Sequence, residues 1–274
     1  MKKLCVIGDP VAHSLSPRIQ QCMIDCTGAA YRYEIHPVAC GELADFVAEL
    51  RRGVWDGCNV TMPHKKAIVP LLDELTDAAA ACGAVNTVRM DGGRVIGHNT
   101  DGQGFLDSLT ARGFSVAGKR VLLLGAGGAG EAVAAALLGA GVEKLWICNR
   151  DLSRAAVLAL RDPVRVEAIP FAHDAMCAAA GACDLLVNAT PLGMSGKAAF
   201  ADLRFLAQAG RDTVVYDLVY HPHCTLLLQE AERLGLQTVG GMELLIHQAM
   251  LSFAFFTGEA VDKAAMKQRI YQVL

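Results

Sequence analysis

The chain has 274 residues, 53% of them hydrophobic and 19% charged, enough apolar material for a substantial core and a length that favours two domains over one or three. A net charge of -3 without a long basic run leaves counterion release little to work with, so nucleic acid is not expected as a partner. No stretch offers ~20 uninterrupted apolar residues, so no membrane span is expected.

The first ten residues, MKKLCVIGDP, carry two lysines and a short apolar run that meets Gly8-Asp9-Pro10. They read as a first strand rather than a signal segment. "AHSLSP" follows, with Ser14 and Ser16 ahead of a helix starting at Pro17. Two further apolar runs, YRYEIHPV and GCNVT, lead into "NVTMPHKKA", where an amide, a hydroxyl, a proline, a histidine and two lysines interrupt the pattern. "GAVNT" and "GHNTDG" add Asn86 and Asp101. These four polar clusters stand next to strand ends, where the loops of an open sheet converge into a crevice, and together they could line a pocket for a polyhydroxylated substrate. Each also has a plainer explanation. Ser14 and Ser16 can cap a helix, Asn59 and Asn86 can satisfy turn backbones, and Lys65 can be a solvated lysine.

The helical segment Gly102 to Arg112 stops at Gly113, and a new strand begins after "GFSVAGK". The domain joint is placed around Asp101 to Gly118. "KRVLLLGAGGAGEAVAAALLGAG" then predicts strand, Gly125-Ala126-Gly127-Gly128-Ala129-Gly130, and helix. Gly125 permits the tight turn, Gly127 lets the backbone approach a pyrophosphate, and Gly130 allows close helix-strand packing, with the helix N-terminus facing the anion. The next strand, KLWICN, ends in Asn149-Arg150, with Arg154 one turn later. Two guanidinium groups there suit a 2'-phosphate and favour NADP over NAD. Asp151 would oppose that phosphate unless it caps the following helix. LLVNAT, TVVYDLV and QTVGG complete the strands, and their alternation with Ala/Leu-rich helices predicts an α/β fold with parallel strands.

"YHPHC" crowds His221, His223 and Cys224 into one loop without distant partners, so no metal site is expected. The segment Met242 to Thr257 is apolar almost all round, which predicts a helix buried on several sides, packed back between the domains. Ten cysteines sit singly with no CxxC, as in a reduced, cytoplasmic protein. Hydride transfer to a ketone needs a proton donor at the nascent alkoxide, and Lys65 with Asp101 is the pair best suited, the carboxylate keeping the lysine charged and oriented. Which of the two holds the transferred proton stays open.

These residues carry a family resemblance. Ser14-Leu15-Ser16-Pro17, Asn59-Val60-Thr61-Met62-Pro63-His64-Lys65, Gly83-Ala84-Val85-Asn86-Thr87, Asn99-Thr100-Asp101-Gly102, the glycine loop, Asn149-Arg150, Asn188-Ala189-Thr190-Pro191-Leu192-Gly193-Met194 and Tyr216-Asp217-Leu218-Val219-Tyr220 stand in order. The chain resembles shikimate dehydrogenases over essentially its full length. The resemblance implies NADPH-dependent, reversible reduction of 3-dehydroshikimate to shikimate in aromatic amino-acid biosynthesis. It implies an N-terminal open α/β substrate-binding domain, residues 1–101 joined by the C-terminal helices at about 242–274, a Rossmann NADP-binding domain at 102–241, and an active-site cleft between them. By family role, Ser14, Ser16, Thr61, Asn86, Asp101, Tyr220 and Gln248 go to substrate and Lys65 and Asp101 to catalysis. The glycine loop, Asn149, Arg150, Arg154, Asp77, Leu218 and Gly241 go to the cofactor.

Two positions depart from the family pattern: Asp151 stands where threonine is usual, and Glu243-Leu244 where Gly-Met is usual. The alternatives are a quinate/shikimate dehydrogenase that also uses NAD, and a non-catalytic dinucleotide-binding regulator, which predicts a damaged Lys65–Asp101 pair. A homodimer is the oligomer considered.

Overall fold

The computed structural model describes all 274 residues, Met1 to Leu274. They divide into two compact units, one comprising Met1–Gly104 with Ile246–Leu274, the other Phe105–Leu245. The chain runs β1 (Lys2–Gly8), α1 (Ser16–Thr27), β2 (Tyr31–Pro37), α2 (Leu43–Arg51), β3 (Gly57–Val60), α3 (His64–Ala67), β4 (Glu74–Leu75), α4 (Asp77–Cys82), β5 (Thr87–Asp91), β6 (Arg94–His98) and α5 (Asp101–Thr110). It continues through β7 (Arg120–Leu124), α6 (Gly128–Gly139), β8 (Lys144–Asn149), α7 (Leu152–Ala159), β9 (Val166–Pro170), α8 (His173–Ala182), β10 (Leu185–Asn188), β11 (Val214–Asp217), α9 (Leu226–Arg233), β12 (Gln237–Val239), α10 (Gly241–Thr257) and α11 (Lys263–Val273). It changes unit inside α5 and again inside α10.

The first unit is built on a six-stranded sheet in the order β2-β1-β3-β5-β6-β4. Here the expectation of parallel strands needs correction. β1 pairs in parallel with β2 and β3, and β4 with β6, but β5 is antiparallel to both β3 and β6. The cause is local. Asp91 faces Arg94 across Gly92-Gly93, whose φ values of 55 and 83° are left-handed, so a two-residue hairpin turn replaces a crossover helix. The core on this sheet is filled by Cys5, Ile7, Phe46, Leu50, Cys58, Val60 and Val88.

In the second unit all strands are parallel, ordered β12-β11-β10-β7-β8-β9. The order reverses at β7, which is the switch point where an open α/β sheet offers a crevice. β7 is buried on both faces: Val121 and Leu123 enter one core, Leu122 and Leu124 the other. That accounts for its unbroken apolar run. No residue of α10 is fully exposed, as its lack of a polar stripe implies. No helix is long and apolar enough to cross a membrane. All ten cysteines are free, and burial pushes the Cys148 and Cys183 thiols up to about 12.

Candidate active site

The reversal of β5 decides where the polar clusters of the first unit go. Ile7 pairs with Val60, Asn59 with Thr87, and Thr87 with His98. The segments after β1, after β3, before β5 and after β6 therefore all open at one edge of the sheet. Ser14, Ser16, Thr61, Lys65, Asn86 and Asp101 belong to those segments. A Cβ on Gly8 would lie 2.5 Å from Thr61 Cγ2 and 2.9 Å from the Met62 carbonyl, so glycine is what lets the first two loops close on each other. Ser14 Oγ accepts the Ser16 N–H at 3.2 Å. The residue capping α1 is Leu15, without a side-chain hydrogen bond, so neither serine caps the helix in the ordinary sense.

Lys65 stands on the short helix α3. His64 anchors this turn by donating from Nε2 to the Val38 carbonyl at 2.6 Å, and the Lys65 carbonyl accepts the Val85 N–H at 2.8 Å. Lys65 Nζ donates to Asp101 Oδ2 at 2.6 Å, with side-chain exposures of 21% and 8%. Asp101 opens α5, where the helix N-terminus favours a carboxylate. Its N–H donates to Asn99 Oδ1 at 3.0 Å, and its Oδ1 accepts Asn86 Nδ2 at 2.8 Å. Asn86 Oδ1 accepts the Thr100 N–H at 2.9 Å. Asn86 thus satisfies a turn backbone and orients Asp101 at once. Gln248 Oε1 lies 3.4 Å from the Thr100 hydroxyl and 3.5 Å from Asn86 Nδ2. A Cβ on Gly104 would be 2.7 Å from the Gln248 backbone N, which is why α5 carries a glycine there.

Asp77 begins α4, exposed. The pairing of Leu75 with Gly97 carries it to the same edge, and it is the one expected cofactor residue in the first unit. His98 beside it receives or donates a hydrogen bond with Thr76 Oγ1 at 2.8 Å. Burial, with Arg89 adding to it, holds the His98 imidazole below its ordinary range.

In the second unit Gly125 follows β7 with φ 105°, and a Cβ on Gly130 would meet the Gly125 carbonyl oxygen at 2.3 Å. Space around Gly127 is open. Gly127 caps α6 without a side chain, so the first N–H groups of the helix are left to an outside anion. A pocket of about 170 Å³ lies against Gly125, Gly127, Asn149, Arg150, Arg154 and Thr190. These residues fit a dinucleotide: open backbone donors stand at the loop, and two guanidinium groups line the pocket beyond it. Asn149 ties the parts together, accepting the Ala126 N–H at 3.2 Å and donating to the Asp151 carbonyl at 2.8 Å. Asp151 is the N-cap of α7, its Oδ1 accepting the Ser153 N–H at 3.1 Å and hydroxyl at 2.5 Å. Those bonds, the hydroxyl first, hold its carboxyl below the usual range. Arg154 Nε lies 3.7 Å from Asp151 Oδ2, both well exposed, a contact worth little.

Leu218 and Gly241 meet: a Cβ on Gly241 would lie 2.3 Å from the Leu218 carbonyl oxygen. Tyr220 follows β11, half-buried, in this second unit, apart in the chain division from the other residues expected at the substrate. Asp217 is fully buried and accepts the Thr225 hydroxyl at 2.6 Å, Asn188 Nδ2 at 2.9 Å and the Val219 N–H at 3.0 Å. Burial outweighs these bonds and raises its carboxyl above the usual range. Asn188 Oδ1 in turn accepts the Thr190 N–H and hydroxyl, holding the turn that lies against Gly125. Sequence reasoning quoted Asn188, Asp217, Thr87, Thr100 and Asn99 inside motifs without giving them work, and passed over Gly8.

Comparison with known proteins matches residues 6–88 to the shikimate dehydrogenase substrate binding domain. Residues 108–193 match the shikimate / quinate 5-dehydrogenase model, and residues 241–271 the shikimate 5'-dehydrogenase C-terminal domain. A shikimate dehydrogenase (NADP(+)) of Symbiobacterium thermophilum is 42% identical over 261 residues, covering 93% of this chain and 88% of the relative. The structure of shikimate 5-dehydrogenase from Thermus thermophilus in complex with NADP(H) and shikimate superposes with TM-score 0.87 at 36% identity, covering 100% of both chains. Quinate dehydrogenase from Corynebacterium glutamicum in complex with NAD gives TM-score 0.87 at 34% identity, covering 99% of each.

Proposed function

The chain belongs to the shikimate dehydrogenase family, and from that premise we propose that it catalyses the reversible NADPH-dependent reduction of 3-dehydroshikimate to shikimate, a step of aromatic amino-acid biosynthesis. The observation that carries the reading is the Lys65–Asp101 ion pair at 2.6 Å, held by Asn86 at the sheet edge where the polar loops open. A regulator that had lost catalysis would have no need of it.

NADPH supplies the hydride. The chain's own groups bind the ring and manage charge. Ser14, Ser16, Thr61, Gln248 and Tyr220 are hydroxyl and amide groups suited to a polyhydroxylated ring and its carboxylate. Lys65 meets the negative charge that builds on the ketone oxygen as the hydride arrives. The Lys65–Asp101 pair delivers the proton that completes the alcohol, and in the oxidative direction takes it back. In the second unit the loop Gly125 to Gly130 receives the pyrophosphate, Arg150 and Arg154 the 2'-phosphate, and Asn149 holds the loop beside them. Leu218, Gly241 and Asp77 are assigned to the cofactor as well. The same reading makes the enzyme cytoplasmic, and ten free thiols, which fit a reducing compartment, support it. A homodimer is part of the same reading, and sedimentation at assay concentration tests it.

A second reading has one observation in its favour: Asp151 caps α7 through Oδ1 alone, which leaves Oδ2, 3.7 Å from Arg154 Nε, to accept a hydrogen bond from a ribose hydroxyl. That is a quinate/shikimate dehydrogenase that uses NAD as well. Steady-state rates with shikimate and quinate, each with NADP and NAD, decide. Highest kcat/KM for shikimate with NADP is expected; a preference for quinate with NAD would establish the second reading, and no turnover of any pair would overturn both.

A further inference from the structure

The carboxylate of Asp101 is the end of a longer buried array. Tyr33, Asn59, Ser252, Thr87 and Asn86 are each under 9% exposed, Ser252 and Thr87 completely enclosed. They come from β2, β3, α10, β5 and the turn before β5. The Tyr33 hydroxyl lies 2.7 Å from Asn59 Oδ1, and Asn59 Nδ2 lies 3.0 Å from Ser252 Oγ. Ser252 Oγ is 2.8 Å from Thr87 Oγ1 and 3.1 Å from Thr100 Oγ1. Thr87 Oγ1 is 2.9 Å from Asn86 Oδ1.

Counting protons gives this array a direction. An ionised carboxylate only accepts, so Asn86 must turn its NH2 toward Asp101 and its oxygen toward Thr87 and the Thr100 N–H. Thr87 has a single proton and spends it on Asn86 Oδ1. Toward Ser252 and Asn59 it can then only accept. Asn59 therefore presents its NH2 to the two hydroxyls, Thr87 at 3.2 Å and Ser252 at 3.0 Å, with the Asn86 carbonyl a third acceptor at 3.1 Å, and its oxygen to Tyr33, which donates. Every bond from Tyr33 to Asp101 runs the same way. Burial pushes the Tyr33 phenol well above its ordinary range, so the head of the chain stays a neutral donor. Buried polar groups of this number are costly unless all are satisfied, and apolar side chains would fill the same space at lower cost.

Resting on Lys65 and Asp101 as the catalytic pair, we propose that Tyr33, Asn59 and Ser252 are positioning residues. They form a one-way relay of hydrogen-bond donors that fixes the Asn86 amide on Asp101 and thereby the orientation of the carboxylate holding Lys65. None of the three is assigned contact with substrate or cofactor; they act through Asn86. Because each donor is polarised by the one before it, cutting the relay at any point loosens the last bond.

The test uses Tyr33→Phe, Ser252→Ala and the double variant of the full chain. Two readouts are taken: steady-state kinetics with shikimate and NADP, and the 13C carboxyl resonance of Asp101, assigned by its loss in Asp101→Asn. Each single variant is expected to lower kcat by roughly three- to tenfold with KM for shikimate within about twofold, and the double variant to fall short of the product of the two effects, because Ser252→Ala leaves Asn59 Nδ2 3.2 Å from Thr87 Oγ1 and both changes act through that same hydroxyl. The Asp101 resonance is expected to move in both single variants, and in the double variant by less than the sum of the two shifts. A resonance unmoved in both variants overturns the relay whatever the rates. Multiplying effects on kcat in the double variant also overturn it, since independent packing defects multiply. If the wild type turns over no shikimate, the functional reading fails, and the resonance alone still decides the relay.

Discussion

Asp101 takes Lys65 on one oxygen and Asn86 on the other, so each partner's loss leaves a different defect. Lys65→Ala removes the only charge shown paired with a carboxylate that is 8% exposed, and should lower kcat by about 10²- to 10⁴-fold with KM for shikimate changed less than about fivefold. Turnover close to wild type would remove Lys65 from the chemistry. Arg150 and Arg154 line the nucleotide pocket. Replacing Arg154 with Gln should weaken NADPH binding by roughly five- to thirtyfold while leaving NADH within about twofold, read by fluorescence titration, if its guanidinium meets the 2'-phosphate. Asp217 gives a pH test with a definite sign. Its folded carboxyl titrates above the unfolded one because of burial. The folded state thus binds the proton more tightly, and the residue's contribution to stability is greatest below the unfolded range and declines as pH rises through the folded one. Comparing urea midpoints of wild type and Asp217→Asn from neutral pH down to about 4 should show the balance shifting toward the wild type as pH falls, across the carboxylate range.

Glycines at element junctions can be sorted by what a methyl group would strike. Gly241→Ala would drive a Cβ to 2.3 Å from the Leu218 carbonyl and should destabilise by about 1–3 kcal/mol while raising KM for NADPH. Gly139→Ala, at the exposed end of α6 with nothing within 4 Å, should stabilise by about 0.4–1 kcal/mol. Thermal unfolding of both variants reads the contrast. Elements with a strong period were legible in the sequence: β7 and the glycine loop announce themselves by an apolar run followed by GxGxxG, and α10 by its lack of a polar face. Weaker ones were missed for physical reasons. β4 has only two residues. β9, at the edge of its sheet, leaves Glu167 and Pro170 exposed and carries little apolar signal. β5 and β6 alternate charged with apolar residues, and their Gly92-Gly93 turn signal was outweighed by the general expectation of crossover helices. Lys65 and Asp101 could be found because they lie inside motifs. Tyr33 and Ser252 could not, since one hydroxyl among the mixed charged and apolar residues of β2, or one within the apolar run of α10, carries no signal until the fold supplies its partners.

Each unit has its own sheet and its own core, so ligands should leave separate footprints. Hydrogen exchange with NADP at about 100 times its Kd should protect amides around 125–130 and 149–154, and with shikimate those around 61–65, 86–101 and 248. Global stability should rise by about 2.7 kcal/mol in the NADP case if the two units unfold together. Protection by shikimate confined to the second unit would contradict the assignment of the polar loops. The hairpin of β5 and β6 has a practical side. Its turn, Gly92-Gly93, closes the end of the two strands opposite to Asn86 and Asp101, five residues or about 17 Å along the strand from the edge where the polar loops open. Space beside both is open, although their left-handed φ keeps the two positions themselves glycine, so an addition goes in as inserted residues. A fluorophore, affinity tag or tether for a solid support grafted into that turn would therefore sit at the blind end of the sheet, leaving the polar loops untouched on an immobilised enzyme.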